Sequence, residues 1–395
     1  MWYDRAYAEH RCWKQSNHLV EGRKLWEHIR DEYDPAFTCA KVFWWNNMYS
    51  TADYQITPRP IYCADGKKVF DIQTSPMDLR KKIKRKLGAF PFPAFWGPAA
   101  GIASSEWIAK SAKWFEDHFS PGLNLVYLPH LDYNLQRLGP DSPQIALDLS
   151  AIDAVVEDLV TYLEKRGVQV VLLSEYGITQ VDRPIHLNRL FRERGWISWR
   201  DELKREMIDL GNCKAFAIPD HQVAHVYVND PTLLDEVAEM VRKIEGVTAV
   251  YTREEQEALG LRHERSGDLI VVSDERSWFT YYYWKSDRKA PDFARCVDIH
   301  RKPGYDPVEL FINPKFWFPK LKVAFRLAKK MLGFRMLMDI IPLDAGLVKG
   351  SHGCIPSDPA DHPVLIGAFP GVEGGATITA TEVYGKLLGF CSGRH

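Results

Sequence analysis

The feature of this sequence that most constrains its fold is a pair of short apolar segments separated by a helical pattern. Residues 123–128 and 168–173 are the apolar segments, and residues 150–166 have the periodicity of an amphipathic helix that ends at Gly167. A strand, a helix and a second strand in this order form a unit whose two strands are parallel in one sheet. The sequence therefore predicts an α/β fold with a mostly parallel sheet sandwiched by helices.

Each apolar segment is followed by an acidic residue, Asp132 or Glu175. Open α/β sheets bind ligands at the carboxyl ends of their strands, so we expect the two carboxylates at the ends of neighbouring strands. Asp132 is then a metal ligand or a general base, although an aspartate after a strand is commonly a turn or helix-capping residue. Glu175 needs solvent, a partner or a metal, because a lone buried charge is too costly.

The composition narrows the class of protein. The chain has 395 residues, with 51 basic and 52 acidic side chains. This balance leaves no net positive charge that would attract a nucleic acid polymer. Its seven cysteines form no Cys-x-x-Cys pair, which is typical of reduced thiols in the cytoplasm. No apolar stretch is long enough to predict a transmembrane segment, and the first residues lack the apolar stretch of a signal peptide.

The pattern of predicted elements changes near residue 214. Short strands at residues 224–228, 246–251 and 268–273, with a helix at 231–244, predict a small α+β unit similar to ferredoxin-like folds. We expect residues 1–213 to form the first part of the core, 214–290 to form this insert, and 291–395 to complete the core.

Three segments carry a resemblance to a known family. They are Leu-Pro-His-Leu-Asp132-Tyr-Asn-Leu-Gln136-Arg-Leu-Gly-Pro, then Ser-Glu175-Tyr176-Gly, and finally Lys-Gly-Ser-His352-Gly. The set resembles the metal-site motifs of the alkaline phosphatase superfamily, in particular its type I phosphodiesterase/nucleotide pyrophosphatase branch. That branch has Asp-x-x-x-His and Ser-Asp-His-Gly, so Gln136 stands at one histidine position, and Glu175 and Tyr176 stand at an aspartate and a histidine position.

The resemblance implies an alkaline phosphatase-like fold and a metal-dependent phosphoric-ester hydrolase that acts on a small phosphorylated or anionic metabolite. It implies two divalent metals, zinc or manganese/iron, with Asp132, Glu175 and His352 as ligands and with Gln136 and Tyr176 lining the site. It also places the nucleophile of the family upstream of Met1, so a chain starting there is expected to be inactive. The alternative is a non-catalytic protein that binds an anion or a metabolite on the same fold.

Two further polar clusters are candidates for lining the site. His221 and His225 are four residues apart, which on a strand places both on one face. They are expected to face substrate or supply imidazoles, unless they only form a hydrogen-bonded strand edge. In the second cluster, His300 is a candidate to reach a metal. Arg301 and Lys302 are interpreted either as an anion site or as solvated surface residues.

Aromatic and basic segments complete the pattern. The aromatic segments, which include residues 281–284, indicate core packing, with a pocket wall as the alternative. The basic run at 78–87 is typical of a solvated helix face. The basic and partly apolar run at 316–338 predicts an amphipathic helix on the core, with a membrane surface as the alternative.

Overall fold

The structure is a computed structural model that describes residues 1–368 and 374–393. The chain divides into two compact units. Unit 1 comprises Met1–Trp13, Asp132–Ile145 and Tyr176–Pro363, and unit 2 comprises Lys14–Leu131, Ala146–Glu175 and Val364–His395. The chain therefore passes between the units several times, and the motif segments are divided between them.

The elements of the described residues are numbered in chain order. The helices are α1 (Leu25–Glu32), α2 (Leu79–Leu87), α3 (Ile102–Phe119), α4 (His130–Leu138), α5 (Gln144–Glu164), α6 (Leu187–Glu193), α7 (Leu234–Arg242), α8 (Arg253–Ala258), α9 (Pro319–Met331) and α10 (Val383–Ser392). The strands are β1 (Trp2–Asp4), β2 (Glu9–Arg11), β3 (Cys39–Val42), β4 (Tyr54–Pro58), β5 (Ile61–Tyr62), β6 (Lys68–Val69), β7 (Ile72–Ser75), β8 (Leu123–Val126), β9 (Leu172–Leu173), β10 (Thr179–Gln180), β11 (Arg183–Ile185), β12 (Trp199–Glu202), β13 (Arg205–Ile208), β14 (Ala215–Asp220), β15 (Val223–Val228), β16 (Val247–Tyr251), β17 (Leu269–Ser273), β18 (Ser277–Phe279), β19 (Gly350–Ser351) and β20 (Leu365–Ile366).

Unit 2 is built on a four-stranded sheet with the order β7-β4-β3-β8. Strand β3 is parallel to both β4 and β8, and only β7 is antiparallel. All four residues of β3 are buried, as expected for a parallel strand that is covered on both faces. Helix α3 packs on this sheet through Ile108, Ala112 and Phe115. The predicted α/β class with a mostly parallel sheet is confirmed.

The predicted pairing of the two motif strands is wrong. Strand β9 is only two residues long and pairs antiparallel with β20, whereas β8 pairs with β3. The two strands therefore belong to different sheets. The physical reason is exposure, because Leu172 and Leu173 lie at the surface, and an apolar run can act as an inner parallel strand only when both its faces are covered.

Unit 1 contains a second four-stranded sheet, entirely antiparallel, with the order β14-β15-β17-β16. Helices α7 and α8 lie between its strands in sequence, and Val237 and Val241 of α7 pack into the same core as Phe216 and Val226. The small α+β unit is thus present. The domain boundaries at residues 213 and 290 stay a prediction.

A second core of unit 1 contains the aromatic run of residues 281–284, in which every side chain is buried. The interpretation of this run as core packing is confirmed. In unit 2, the basic helix α2 buries Leu79 and Ile83 and exposes most of its lysines and arginines, which confirms a solvated helix face. None of the helices within the described residues has both the length and the apolar character that a membrane span requires.

Candidate functional site

Asp132 lies in the first turn of helix α4, and Gln136 lies one turn further on the same face. The Gln136 Nε2 donates a hydrogen bond of 2.7 Å to one carboxylate oxygen of Asp132, and the Tyr176 hydroxyl donates one of 3.2 Å to the other. Burial raises the pKa of Asp132 to about 6, although both hydrogen bonds act in the opposite direction. The carboxylate therefore exchanges its proton close to neutral pH.

The amide of Gln136 is hydrogen-bonded at both ends. Its Oε1 accepts a hydrogen bond of 2.8 Å from the Tyr305 hydroxyl, while its Nε2 is directed at Asp132. The side chain is completely buried, and its backbone carbonyl accepts a hydrogen bond from the amide of Lys349. Burial, helped by the charge of Asp132, raises the pKa of Tyr305 well above its ordinary value. Tyr305 is therefore a fixed hydrogen-bond donor.

Four rings from distant parts of the sequence stack in one row. Tyr176 and His352 are parallel within 5°, with centroids 3.5 Å apart. His352 lies 3.8 Å from the His221 ring, and His221 lies 3.9 Å from the Tyr305 ring. The two tyrosines at the ends of the row are joined through Gln136 and Asp132, so the six residues form a closed ring of contacts. We call these six residues the Asp132 cluster.

Both histidines of the cluster are held neutral. Burial lowers the pKa of His352 to about 3. Burial and the neighbouring His352 lower the pKa of His221 well below its ordinary value. A neutral imidazole has one nitrogen lone pair available for a proton, a metal or a ligand.

Close backbone approach sets the position of His352. Strand β19 pairs with β10, and a Cβ atom at Gly350 would lie 2.0 Å from the carbonyl oxygen of Leu135 in α4. Only glycine allows this contact between the His352 segment and the helix that carries Asp132. The carbonyl of His352 in turn accepts a hydrogen bond of 2.8 Å from the Gln222 amide.

The prediction that His221 and His225 share one face of a strand is wrong. His221 lies in the two-residue turn between β14 and β15, with a φ of 58°. His225 lies within β15, where its Nδ1 accepts a hydrogen bond of 3.0 Å from the Gly267 amide. The turn separates the two side chains, so only His221 belongs to the Asp132 cluster.

The other predicted site residues lie outside the cluster. Glu175 is exposed and belongs to unit 2. His300 and Arg301 are exposed in unit 1, where the His300 Nδ1 lies 3.3 Å from the carbonyl oxygen of Cys12. Lys302 is neither an anion site nor a solvated residue, because it is completely buried with its Nζ 2.7 Å from both Asp306 and Glu309. That correction follows from charge pairing, which a single sequence does not reveal.

Sequence reasoning missed the role of Tyr305. The sequence offers a signal in Gly304-Tyr305-Asp306, where a glycine before the tyrosine permits a close passage of the backbone. Gly304 has a φ of 154°, and a Cβ atom there would lie 2.7 Å from the ring of Pro219. This tight passage of the backbone directs Tyr305 into the cluster.

The cluster does not fit the two-metal centre that the family motifs imply. Within the described residues, no group of three or more His, Cys, Asp and Glu side chains is placed to hold a metal ion. Both oxygens of Asp132 accept hydrogen bonds, and the Gln136 oxygen is occupied by Tyr305. An amide and a neutral phenol are also poor zinc ligands compared with imidazole.

Unit 1 also contains a cavity of about 550 Å³ that shares no residue with the Asp132 cluster. Its lining includes the cations Arg189, Arg295 and Lys315 and the ring of Tyr282. The Tyr282 hydroxyl is buried and has no hydrogen-bond partner among the described residues. The lining also includes Asp287 and Asp344, so the cavity presents both positive and negative side chains to a small ligand.

Comparisons with known proteins find several that are similar to parts of this chain. An uncharacterized pyrophosphatase/phosphodiesterase of Schizosaccharomyces pombe is 35% identical over 81 residues, which are 19% of this chain and 17% of that protein. A phosphonoacetate hydrolase from Sinorhizobium meliloti 1021, solved with phosphonoacetate, is 19% identical, with a TM-score of 0.37 over 50% of this chain and 46% of that one. The chain thus spans less than half the length of these relatives.

Two other solved structures are similar at the same level. Murine ectonucleotide pyrophosphatase/phosphodiesterase 5 in complex with AMP is 24% identical, with a TM-score of 0.34 over 46% of this chain and 45% of that one. The alkaline phosphatase PafA is 12% identical, with a TM-score of 0.48 over 71% and 73% of the two chains. These scores are too low to carry an argument.

The family assignment comes from a longer match. The family model for type I phosphodiesterase/nucleotide pyrophosphatase matches residues 1–306, which is most of the chain and includes Asp132, Gln136 and Tyr176. This match confirms the resemblance that the motifs indicated. The chain belongs to the type I phosphodiesterase/nucleotide pyrophosphatase family.

Proposed function

We propose that this chain binds a phosphoric ester of a small metabolite at the Asp132 cluster and hydrolyses it. The observation that carries the proposal is that residues from separate motifs come together in space. Residues 132, 176 and 352 come from three separate family motifs, and their side chains meet in one cluster of unit 1. Side chains that a family brings together from distant segments are candidates for its chemistry.

The residues of the cluster have properties suited to proton transfer at phosphate. Asp132, with a pKa of about 6, can hold a proton or release it near neutral pH. The Tyr176 hydroxyl donates to it, and His352 supplies a neutral imidazole beside that phenol. We assign no nucleophilic side chain: the proposed attacking group is a water molecule with Asp132 as its base, so this proposal replaces the expectation of inactivity that rested on a nucleophile upstream of Met1. The metal-ligand roles of Asp132, Glu175 and His352, the use of zinc, manganese or iron, and the cytoplasmic location stay predictions.

Hydrolysis assays with single substitutions test this proposal. The chain is assayed with bis(p-nitrophenyl) phosphate and p-nitrophenyl phosphate, with and without added Zn²⁺ or Mn²⁺. We expect turnover that falls by 100-fold or more in His352→Ala and Asp132→Asn. His18→Ala is the matched control, because His18 is exposed in unit 2. Turnover that His352→Ala leaves unchanged would place the chemistry elsewhere, and a lack of turnover under all conditions would overturn the hydrolase proposal.

The second candidate is a non-catalytic protein that binds a small anionic ligand. Two observations favour it: the hydrogen bonds that occupy Gln136 in place of a metal ligand, and the cavity lined by Arg189, Arg295 and Lys315. Calorimetric titration with AMP separates the two candidates. Binding that Lys315→Gln weakens, together with no hydrolysis, would favour the binding protein. Hydrolysis that depends on His352 would favour the enzyme.

A further inference from the structure

The segment of residues 315–337, which we call the basic segment, exposes large apolar side chains to an unusual degree. Helix α9 at its centre buries none of its residues. Trp317 is 92% exposed, Phe325 60% and Met331 87%. Single exposed apolar residues are normal on protein surfaces, whereas a concentration of them in one segment marks an interaction site.

The exposed residues follow helical spacing. Leu321 and Phe325 of α9 and Leu332 at its C-terminal end are separated by four and seven positions, which places them on one face of the helix, and Trp317 is exposed just before the helix begins. The spacing makes these side chains a continuous apolar stripe along α9 and its flanking residues.

The opposite face holds the helix on unit 1. Val323 packs against the core that contains Trp278 and Ile341. The Arg326 guanidinium forms an ion pair with Asp339, with 2.8 Å between Nη2 and Oδ1, on the same side as Val323. Because these contacts fix the rotation of α9, the apolar stripe is directed away from its own core.

The charge of the segment has one sign. Residues 312–338 contain seven lysines and arginines and no acidic residue. Lys320 and Lys330 are exposed on α9, and Arg335 is exposed just after it. A helix with exposed Trp, Phe and Leu side chains flanked by lysines is typical of segments that lie in the interface of an anionic bilayer.

We propose that the basic segment docks unit 1 onto an anionic membrane surface, with the apolar stripe inserted at the level of the lipid headgroups. Two copies of the segment would repel each other through their positive charge, which disfavours self-association through this face. Trp317 and Phe318 precede the helix, where aromatic rings are suited to the boundary between headgroups and acyl chains. This docking is independent of whether the Asp132 cluster is catalytic.

Vesicle sedimentation of the full chain tests the proposal. We expect the chain to pellet with vesicles of 30% phosphatidylserine in phosphatidylcholine, to remain in the supernatant with pure phosphatidylcholine, and to be released by 0.5 M NaCl. Combined Trp317→Ser, Leu321→Ser and Phe325→Ser substitutions should reduce the pelleted fraction at least fivefold, as should combined Lys320→Glu, Lys330→Glu and Arg335→Glu. All six positions are exposed, so circular dichroism should show an unchanged fold.

Helix α2 provides the matched control. It is also basic, but its apolar residues Leu79 and Ile83 are buried. Combined Lys81→Glu, Arg85→Glu and Lys86→Glu substitutions make the same change of charge, and we expect them to leave sedimentation unchanged. An equal loss in this control would overturn the assignment to the basic segment. No sedimentation with phosphatidylserine, or a dimer in light scattering that the serine substitutions abolish, would overturn the membrane proposal.

Discussion

The imidazole of His352 lies flat against the phenol ring of Tyr176, with ring centroids 3.5 Å apart and planes within 5°. The hydroxyl of the same phenol donates a hydrogen bond to Asp132. Tyr176 thus connects two motifs: its ring face contacts His352 of the last motif, and its hydroxyl contacts Asp132 of the first. The family motif has a histidine at the position of Tyr176. That histidine would bind a metal ion, whereas Tyr176 stacks on His352 and donates a hydrogen bond to Asp132.

A first prediction concerns the metal. We expect a Gln136→His substitution to bind Zn²⁺ at least tenfold more tightly than the unchanged chain, because it places an imidazole one helical turn from Asp132. Isothermal titration with ZnCl₂ measures the difference. Treatment with EDTA should shift the melting temperature of the unchanged chain by less than about 2 °C, whereas a tightly held structural metal stabilises by several kcal/mol. Stoichiometric zinc in the unchanged chain that His352→Ala removes would contradict this prediction.

A second prediction concerns pH. The pKa of Asp132 is about 6 in the folded protein against an ordinary value of 3.8, so the folded state holds this proton more tightly than the unfolded state. The proton on Asp132 therefore stabilises the folded state. This contribution to the free energy of unfolding is fully present below pH 3.8 and is lost as the pH rises through 6. From pH 5 to pH 7.5 it should decrease the free energy of unfolding by about 1 kcal/mol.

The measurement for Asp132 is urea unfolding at both pH values, for the unchanged chain and for Asp132→Asn. Asparagine does not titrate. The difference in the free energy of unfolding between the two proteins should therefore change by about 1 kcal/mol from pH 5 to pH 7.5. Asp344→Asn is a control at a capping aspartate that is hydrogen-bonded to Gly346. A difference that does not depend on pH would show that Asp132 is ionised throughout this range.

A third prediction concerns Lys302. Burial by itself lowers the pKa of this lysine, but the charges of Asp306 and Glu309 outweigh it, so the pKa is raised and the ion is retained. Lys302→Met leaves two carboxylates buried side by side and should decrease the free energy of unfolding by about 3–5 kcal/mol. The matched control is Lys243→Met, at the exposed pair with Glu239, where we expect a change within about 0.5 kcal/mol. Equal effects in the two variants, measured by urea unfolding, would refute the argument.

A fourth prediction concerns Gly350. A methyl group there would meet the Leu135 carbonyl oxygen at 2.0 Å, so Gly350→Ala must displace the His352 segment or α4. We expect a loss of about 2 kcal/mol or more in the free energy of unfolding, as for other backbone clashes. Gly385→Ala in α10 is the control, because a Cβ atom there meets nothing within 4 Å and alanine favours a helix by about 0.5–1 kcal/mol. A neutral Gly350→Ala in thermal and urea unfolding would mean that the segment is not held tightly.

The sequence by itself determined the class of fold and the family. Apolar periodicity predicted strand β8 and most of helix α5, with 123–128 expected against Leu123–Val126 observed and 150–166 against Gln144–Glu164, because local patterning decides such elements. The motif residues Asp132, Tyr176 and His352 were identified by their resemblance to family motifs, and two of their contacts unite them in the structure.

Only the tertiary structure decided which strands pair and which side chains contact each other. The exposure of Leu172 and Leu173 removed β9 from the sheet of β8, and the turn at His221 separated it from His225. Lys302, interpreted as an anion-binding or surface residue, is instead the cation of a buried triad with Asp306 and Glu309. The physical reason is that burial, pairing and stacking depend on the whole fold and join distant residues such as Tyr176 and His352, whereas sequence patterns report the preferences of neighbouring residues.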